Sequence, residues 1–166
     1  HKVKGLDLLV RAISLLKNPS ITFVIAGSDD GYLNELKASI SKFQISNRVV
    51  LLPACFGEEK SMLFKTSDVF VYPSYSEGFS LGILEAAAAY LPLVITTGCH
   101  FPDVSRSESG IVVPPLPEKI AEAISTLITN SKLREKYSKN AFTLINEKYS
   151  MSYIGNTLLS EYAKII

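Results

Sequence analysis

The sequence predicts an α/β domain: a Rossmann-like, doubly wound parallel sheet followed by C-terminal helices. Short apolar runs rich in β-branched and aromatic residues alternate with segments of helical periodicity, and only helical patterns follow the last run. The runs are continuously apolar, which is typical of strands covered on both faces in a parallel sheet. We expect the strands at 21–25, 49–52, 68–72, 93–95 and 110–113.

The helices are expected between and after these strands. The first begins near Lys4, where apolar residues recur at helical spacing as far as Leu16. Further helices are predicted over 32–43, 58–64, 81–90, 118–128, 133–145 and 151–165. A helix in this fold normally follows a strand, and no residues before the first helix could form one. We therefore expect a first strand to be missing and the chain to belong to a longer protein.

Composition restricts the function classes. The 166 residues are 47% hydrophobic and 20% charged, which is typical of one globular domain. The formal charge is only +1, so the protein has no overall positive potential that would attract nucleic acid. Cys55 and Cys99 lie far apart, outside any metal spacing, which favours reduced thiols in the cytoplasm. The most apolar stretch, 81–95, is interrupted by Glu85 and Pro92 and is shorter than the roughly 20 residues of a membrane span.

The strand-to-helix junction after residue 72 has the form of an anion site, because ligands of open α/β sheets bind beyond the carboxyl ends of the strands. Gly78 permits close approach or a positive φ, and Ser80 can cap the helix that follows. The N–H groups of Phe79, Ser80 and Leu81 are expected among the unpaired donors of this helix. A diphosphate would suit these donors.

Two carboxylates flank the same junction. Glu77 lies in the loop, and Glu85 lies about one turn into the helix, with seven residues between them. Both are able to face one ligand. The two oxygens of a carboxylate match the vicinal hydroxyls of a ribose, and the other carboxylate could accept hydroxyls of a sugar beyond the phosphates.

With this Glu-x7-Glu motif, the chain resembles the retaining family 4 (group 1) glycosyltransferases of the two-lobed GT-B fold. The blocks 4–9, 23–27, 67–74 and 108–110 follow the family's order, so the resemblance covers essentially the whole chain. It implies that residues 1–166 form the C-terminal donor-nucleotide-binding domain of a hexosyl-type glycosyltransferase. Such an enzyme transfers a glycosyl group from a nucleoside-diphosphate sugar to a hydroxyl acceptor, with retention of configuration.

The resemblance also assigns roles. It implies that Glu85 binds ribose, Glu77 binds the donor sugar and Lys4 binds the diphosphate, which makes Lys4 and Glu77 the catalytic candidates. The family's arginine partner of the lysine would lie just upstream of His1. Lys4 and the helix N–H groups would stabilise charge on the departing diphosphate, so no metal or other cofactor is expected.

The partner expected for this domain is a missing N-terminal lobe of the same protein. That lobe would hold the acceptor site and any catalytic histidine, so the domain alone should be inactive. Any contact with a membrane surface would be made by the missing lobe. The chain departs from the family pattern at Tyr90, where glycine is common, at Pro53, which replaces a glycine, and at Asp103, which replaces a glutamate.

Two other functions remain open from the sequence. The first is one lobe of a nucleotide-sugar 2-epimerase, and the second is a non-catalytic nucleotide-sensing or protein-interaction module. Asp29 and Asp30 precede a glycine and favour a turn over a metal site, while His100 in a loop is more typical of an exposed or capping residue. The segment 26–28 lacks the Gly-x-Gly-x-x-Gly fingerprint, which disfavours a nicotinamide cofactor.

Overall fold

The computed structural model describes residues 2–165, and within them five parallel strands alternate with helices before a helical C-terminus. The strands are β1 (Phe23–Ala26), β2 (Val49–Leu52), β3 (Phe70–Tyr72), β4 (Leu93–Thr96) and β5 (Gly110–Val113). The α-helices are α1 (Leu6–Leu15), α2 (Leu33–Lys42), α3 (Gly57–Lys65), α4 (Leu81–Ala88), α5 (Asp103–Arg106), α6 (Pro117–Thr129), α7 (Ser131–Lys148) and α8 (Met151–Tyr162). Short 3-10 turns lie at Lys2–Lys4, Ser46–Arg48 and Thr97–Cys99.

The strands form two parallel groups. β1 pairs with β2, with Phe23 opposite Val49, while β4 lies between β3 and β5. A cleft lies between β1 and β3, in the position that the first strand takes in the 3-2-1-4-5-6 order of doubly wound sheets, and residues of both strands line it. The predicted α/β fold with parallel strands is confirmed. The first strand expected ahead of α1 would precede residue 1, outside the described residues, and it stays a prediction.

Burial of the strands differs between the two groups. All four residues of β4 are buried, as the continuous apolar run predicts. In the other group, Val24 of β1 and Val50 of β2 remain 46% and 43% exposed. The expectation of cover on both faces is therefore correct for β4 and wrong for these two strands, because apolarity alone does not report whether a helix packs on each face.

Two hydrophobic clusters pack on the two faces of the sheet, since neighbouring residues of β4, Val94 and Ile95, belong to different clusters. The first joins α1 to α6 through residues such as Ile13, Ile124 and Leu127, which are almost completely buried. The second packs α4 and α7 around β4, with Ile83 and Ile95 at its centre. Fully burying an aliphatic side chain of this size stabilises the fold by about 1.5–3 kcal/mol. Each cluster therefore provides a rigid base for the loops above it.

Several element ends differ from those predicted. β1 and β3 each begin two residues later than expected, and α6 begins at Pro117, whose missing N–H suits the first turn of a helix. The short helix α5 was not predicted. Tyr90 has a φ of 61°, which explains why glycine is common at this position, and its ring stacks on Phe142 at 3.9 Å.

Candidate functional site

The site begins where the turn before α1 meets the loop that follows β3. Gly5 has a φ of 68°, and a Cβ at this position would lie 2.0 Å from the carbonyl oxygen of Pro73. The carbonyl oxygen of Val3 accepts hydrogen bonds of 2.9 Å from the backbone N–H of Tyr75 and from the hydroxyl of Ser74. These contacts hold the backbone beside Lys4 directly against the loop.

Lys4, Tyr72 and Glu77 form a closed triangle of hydrogen bonds. The ammonium of Lys4 donates to Oε2 of Glu77 at 2.7 Å and to the hydroxyl oxygen of Tyr72 at 3.0 Å. The hydroxyl of Tyr72 in turn donates to the same Oε2 at 2.9 Å. The structure thus brings two predicted site residues together, and it adds Tyr72, which the sequence analysis missed.

The charges of the triangle stabilise each other. The carboxylate of Glu77, as hydrogen-bond partner, raises the pKa of Lys4 above its usual 10.5, although burial opposes this. Burial alone would raise the pKa of Glu77, but the hydrogen bonds from Lys4 and Tyr72 outweigh it and hold the pKa below 4.5. Both groups are therefore charged at neutral pH, with 45% of the Lys4 side chain and 17% of the Glu77 side chain exposed.

The loop that carries Glu77 rests on the turn after β4. The backbone N–H of Glu77 donates to the carbonyl oxygen of Gly98 at 2.9 Å. A Cβ on Gly98 would lie 2.3 Å from the carbonyl oxygen of Tyr75, so this close approach requires glycine. The hydroxyl of Thr96, at the end of β4, donates a hydrogen bond to the carbonyl oxygen of Ser74. These contacts hold the loop against the turn after β4.

The N-terminus of α4 has the form expected of an anion site. The N–H groups of Phe79, Ser80 and Leu81 meet no acceptor among residues 2–165. The Ser80 hydroxyl caps the helix as predicted, although the bond from the N–H of Ile83 is long, at 3.4 Å. The alternative of a positive φ at Gly78 is wrong, since its φ is not in the left-handed region. Space around its Cβ position is open within 4 Å, which leaves room for close approach.

The side chains at this end of α4 are exposed, at 59% for Phe79 and 68% for Leu81. The ring of Phe79 contacts the rings of Phe101 and Tyr149, with centroids 6.2 and 6.0 Å away. Tyr149 also donates to the carboxylate of Asp103 at 2.7 Å. Asp103, the departure from the family's glutamate, is thus part of a neighbouring aromatic and acidic cluster.

Glu85 reaches the cleft from the second turn of α4. Its Oε1 accepts a 2.6 Å hydrogen bond from the ammonium of Lys60 on α3, and 43% of its side chain is exposed. Lys4, Tyr72, Lys60 and Glu85 all line the cleft. Glu77 reaches this group through its bonds to Lys4 and Tyr72. Glu85 was a predicted site residue and Lys60 was not, because a lysine on an amphipathic helix has no distinguishing pattern.

The remaining candidates lie elsewhere. The carboxylate of Asp29 accepts hydrogen bonds from the N–H groups of Gly31 and Leu33, at 2.8 and 3.1 Å, and so forms the expected turn before α2. His100 is exposed at the end of a 3-10 turn. None of the helices within residues 2–165 combines the length and apolarity that crossing a bilayer requires.

The parallel α/β architecture is that of domains of GT-B glycosyltransferases. The chain belongs to the glycosyl transferases group 1 family, which residues 1–143 match. It is 32% identical over 164 residues, 96% of its length, to an uncharacterized glycosyltransferase of Methanocaldococcus jannaschii. It is 30% identical over 173 residues to the D-inositol 3-phosphate glycosyltransferase of Mycobacteroides abscessus, covering 99% of the chain.

Solved structures agree on the fold. Anabaena HepE, crystallised in complex with UDP, superposes with a TM-score of 0.88 over 99% of this chain and 46% of its own, at 20% identity. The chain spans only 41% and 37% of the length of the two curated relatives. The family and the fold are therefore established, and the activity of the whole protein is a separate question.

Proposed function

We propose that residues 1–166 form the C-terminal donor-binding domain of a retaining, family 4 glycosyltransferase of hexosyl type that uses a nucleoside-diphosphate sugar. The observation that carries the proposal is the position of Lys4. Its ammonium is hydrogen-bonded to Glu77 on the loop leading into α4, the helix that carries Glu85. A cation, free helix N–H groups and two carboxylates provide one group for each part of such a donor.

The diphosphate would bind Lys4 and the N–H groups that begin α4. Negative charge develops on the diphosphate as the glycosyl bond breaks, and preorganised donors stabilise that charge without rearrangement. One such donor is commonly worth about 2.7–4 kcal/mol in the transition state. In this proposal the protein supplies the stabilisation itself, so catalysis requires no divalent metal.

The two carboxylates would recognise the two ends of the donor. Glu85 accepts the ribose hydroxyls, and Glu77 accepts a hydroxyl of the donor sugar. The acceptor site belongs to an N-terminal lobe of the same protein, which closes over the sugar. We further propose that the enzyme works in the cytoplasm, with any contact to a membrane surface made by that second lobe.

The test compares Lys4→Ala with Lys2→Ala, a neighbouring lysine exposed on the same turn. In the full-length protein, binding of UDP, ADP and GDP is measured by calorimetry against the matching uncharged nucleosides. Lys4→Ala should weaken diphosphate binding at least about tenfold and nucleoside binding little, since charge-assisted bonds to phosphate are lost while ribose contacts remain. Equal weakening of both ligands, or no diphosphate binding by the wild type, would contradict the proposal.

Product analysis distinguishes this activity from the epimerase alternative. A glycosyltransferase joins the sugar to an acceptor, and an anomeric assignment of the product by NMR tests retention. Release of a free epimer from the nucleotide sugar would instead identify the epimerase.

A further inference from the structure

We propose that Tyr72 is a positioning residue that holds Lys4 and Glu77 in a fixed relation, so that one donor molecule engages both at once. This inference rests on the proposed function and deepens it. It starts from the closed triangle in which the Tyr72 hydroxyl accepts from Lys4 at 3.0 Å and donates to Glu77 at 2.9 Å.

The hydrogen bonds of the triangle leave one N–H donor of Lys4 and one carboxylate oxygen of Glu77 without a partner in the triangle. An ammonium has three N–H donors, and Lys4 uses one for Glu77 and one for Tyr72, so the third is available for a phosphate oxygen. Both protein donors to the Glu77 carboxylate go to Oε2, and no side chain within the described part of the chain donates to Oε1. Oε1 is therefore available for a sugar hydroxyl.

The hydroxyl becomes important when the diphosphate binds. The negative charges of the diphosphate compete with the Glu77 carboxylate for the ammonium of Lys4 and also repel that carboxylate. The bond from Tyr72 comes from a neutral donor, so an anion does not compete for it in the same way. Tyr72 thus keeps Glu77 directed at the sugar while Lys4 turns to the phosphates.

The ring of Tyr72 is well placed to serve as a fixed point. It stands on β3, where Tyr72 pairs with Ile95 of the buried strand β4, and it stacks against Phe70 with centroids 5.9 Å apart. The Sγ of Cys99 donates to the carbonyl oxygen of Tyr72 at 3.4 Å. A residue held by its strand and its ring loses little freedom on orienting a ligand group, unlike the longer chains of Lys4 and Glu77.

The test is Tyr72→Phe in the full-length protein, which removes one oxygen and keeps the ring. Its matched control is Tyr75→Phe, since the hydroxyl of Tyr75 also donates to a carboxylate, that of Asp7 at 2.8 Å, but lies outside the triangle. Calorimetry measures binding of UDP, ADP and GDP and of the corresponding glucose nucleotides. The glucose nucleotide that the wild type binds most tightly serves for the kinetic measurements.

Tyr72→Phe should lower kcat/KM for the sugar nucleotide about tenfold and reduce the affinity gained from the sugar, while binding of the free diphosphate changes less than about threefold. Tyr75→Phe should leave both quantities unchanged. In a Glu77→Ala background, Tyr72→Phe should have no further effect on the sugar-dependent part, because the hydroxyl acts through Glu77.

Four outcomes overturn the inference. Equal losses for the diphosphate and the sugar nucleotide would show that Tyr72 acts on Lys4 or on folding alone. Unchanged kinetics, or a full effect of Tyr72→Phe in the Glu77→Ala background, would show that the hydroxyl does not position Glu77. A wild-type protein that binds none of the diphosphates would refute the proposed function itself, and this inference with it.

Discussion

Replacement of Glu85 by alanine tests the assignment of the ribose site. In the full-length protein, we expect Glu85→Ala to abolish the preference for a ribonucleoside diphosphate over its 2′-deoxy or 3′-deoxy analogue. The reason is that removing either member of a hydrogen-bonded pair forfeits the same interaction. The preference itself, rather than total affinity, therefore reports the contact.

The structure indicates the size of the effect. Lys60 already donates to Oε1 of Glu85 at 2.6 Å, and no residue among 2–165 donates to Oε2, which is left for the ribose. A hydrogen bond to a charged acceptor contributes about 1.5–3 kcal/mol. Because 43% of the side chain is exposed and water competes for it, we expect the lower end of that range, a loss of preference of about tenfold.

A substitution at Lys60 should give a ribose preference between those of the wild type and Glu85→Ala. If the ion pair orients Glu85, Lys60→Gln should lose part of the ribose preference, and Lys60→Arg should restore most of it. Lys65→Gln is the matched control, since Lys65 is exposed at the end of the same helix. It should keep the full preference.

Calorimetry with UDP and its two deoxy analogues measures these preferences. Glu77→Ala should keep the ribose preference while lowering turnover and the affinity gained from the donor sugar. If Glu85→Ala still discriminated fully between ribose and deoxyribose ligands, the ribose assignment would be refuted. If Glu77→Ala lost that discrimination instead, the two roles would have to be exchanged.

Two further predictions concern the support of the site. Gly5→Ala places a Cβ 2.0 Å from the carbonyl oxygen of Pro73 at a φ of 68°, so denaturant titration should show a loss of more than about 1 kcal/mol of unfolding free energy. Gly27→Ala, which meets nothing within 4 Å, is the control, and equal stability of the two variants would contradict the packing argument. The stability difference between wild type and Glu77→Gln should depend on pH, because the folded-state pKa of Glu77 is lowered from 4.5 and that of Lys4 is raised from 10.5. The contribution of the ion pair should be fully present above about pH 4.5 and lost as the pH falls through the lower folded-state value of Glu77; at the alkaline end it persists to about pH 10.5 and is lost above it, as Lys4 titrates. A difference that grew on acidification would contradict this sign.

The order of the elements was predictable because continuous apolar runs and helical periodicity are local properties of the chain. Lys4 and Glu77 could be proposed as site residues because each belongs to a short motif. Tyr72 could not be predicted, because it ends an apolar strand and has the pattern of a core residue. Its contact with Lys4, 68 positions away, becomes visible only in the fold. Lys60 was missed for a similar reason, as its partner Glu85 lies 25 positions further along the chain.

The exposure of Val24 was also beyond the sequence pattern. Strand identity follows from residue type, but which neighbours cover each face depends on packing between distant elements. Gly98 illustrates the same limit: its close contact with the loop at Tyr75 is tertiary, and a single glycine in a turn does not announce it.

The position of Lys4 has a consequence for how the protein acquires its site. The salt bridge to Glu77 spans 73 positions, and α1, which follows Lys4, is packed against α6 through Ile124 and Leu127, more than a hundred positions later. Contacts of such high sequence separation form slowly, because loop closure must precede them. During synthesis, Lys4 emerges before Tyr72 and Glu77 and remains without these partners until a further 68 and 73 residues have followed it. The rate at which diphosphate binding returns during refolding would therefore report how fast these distant contacts form.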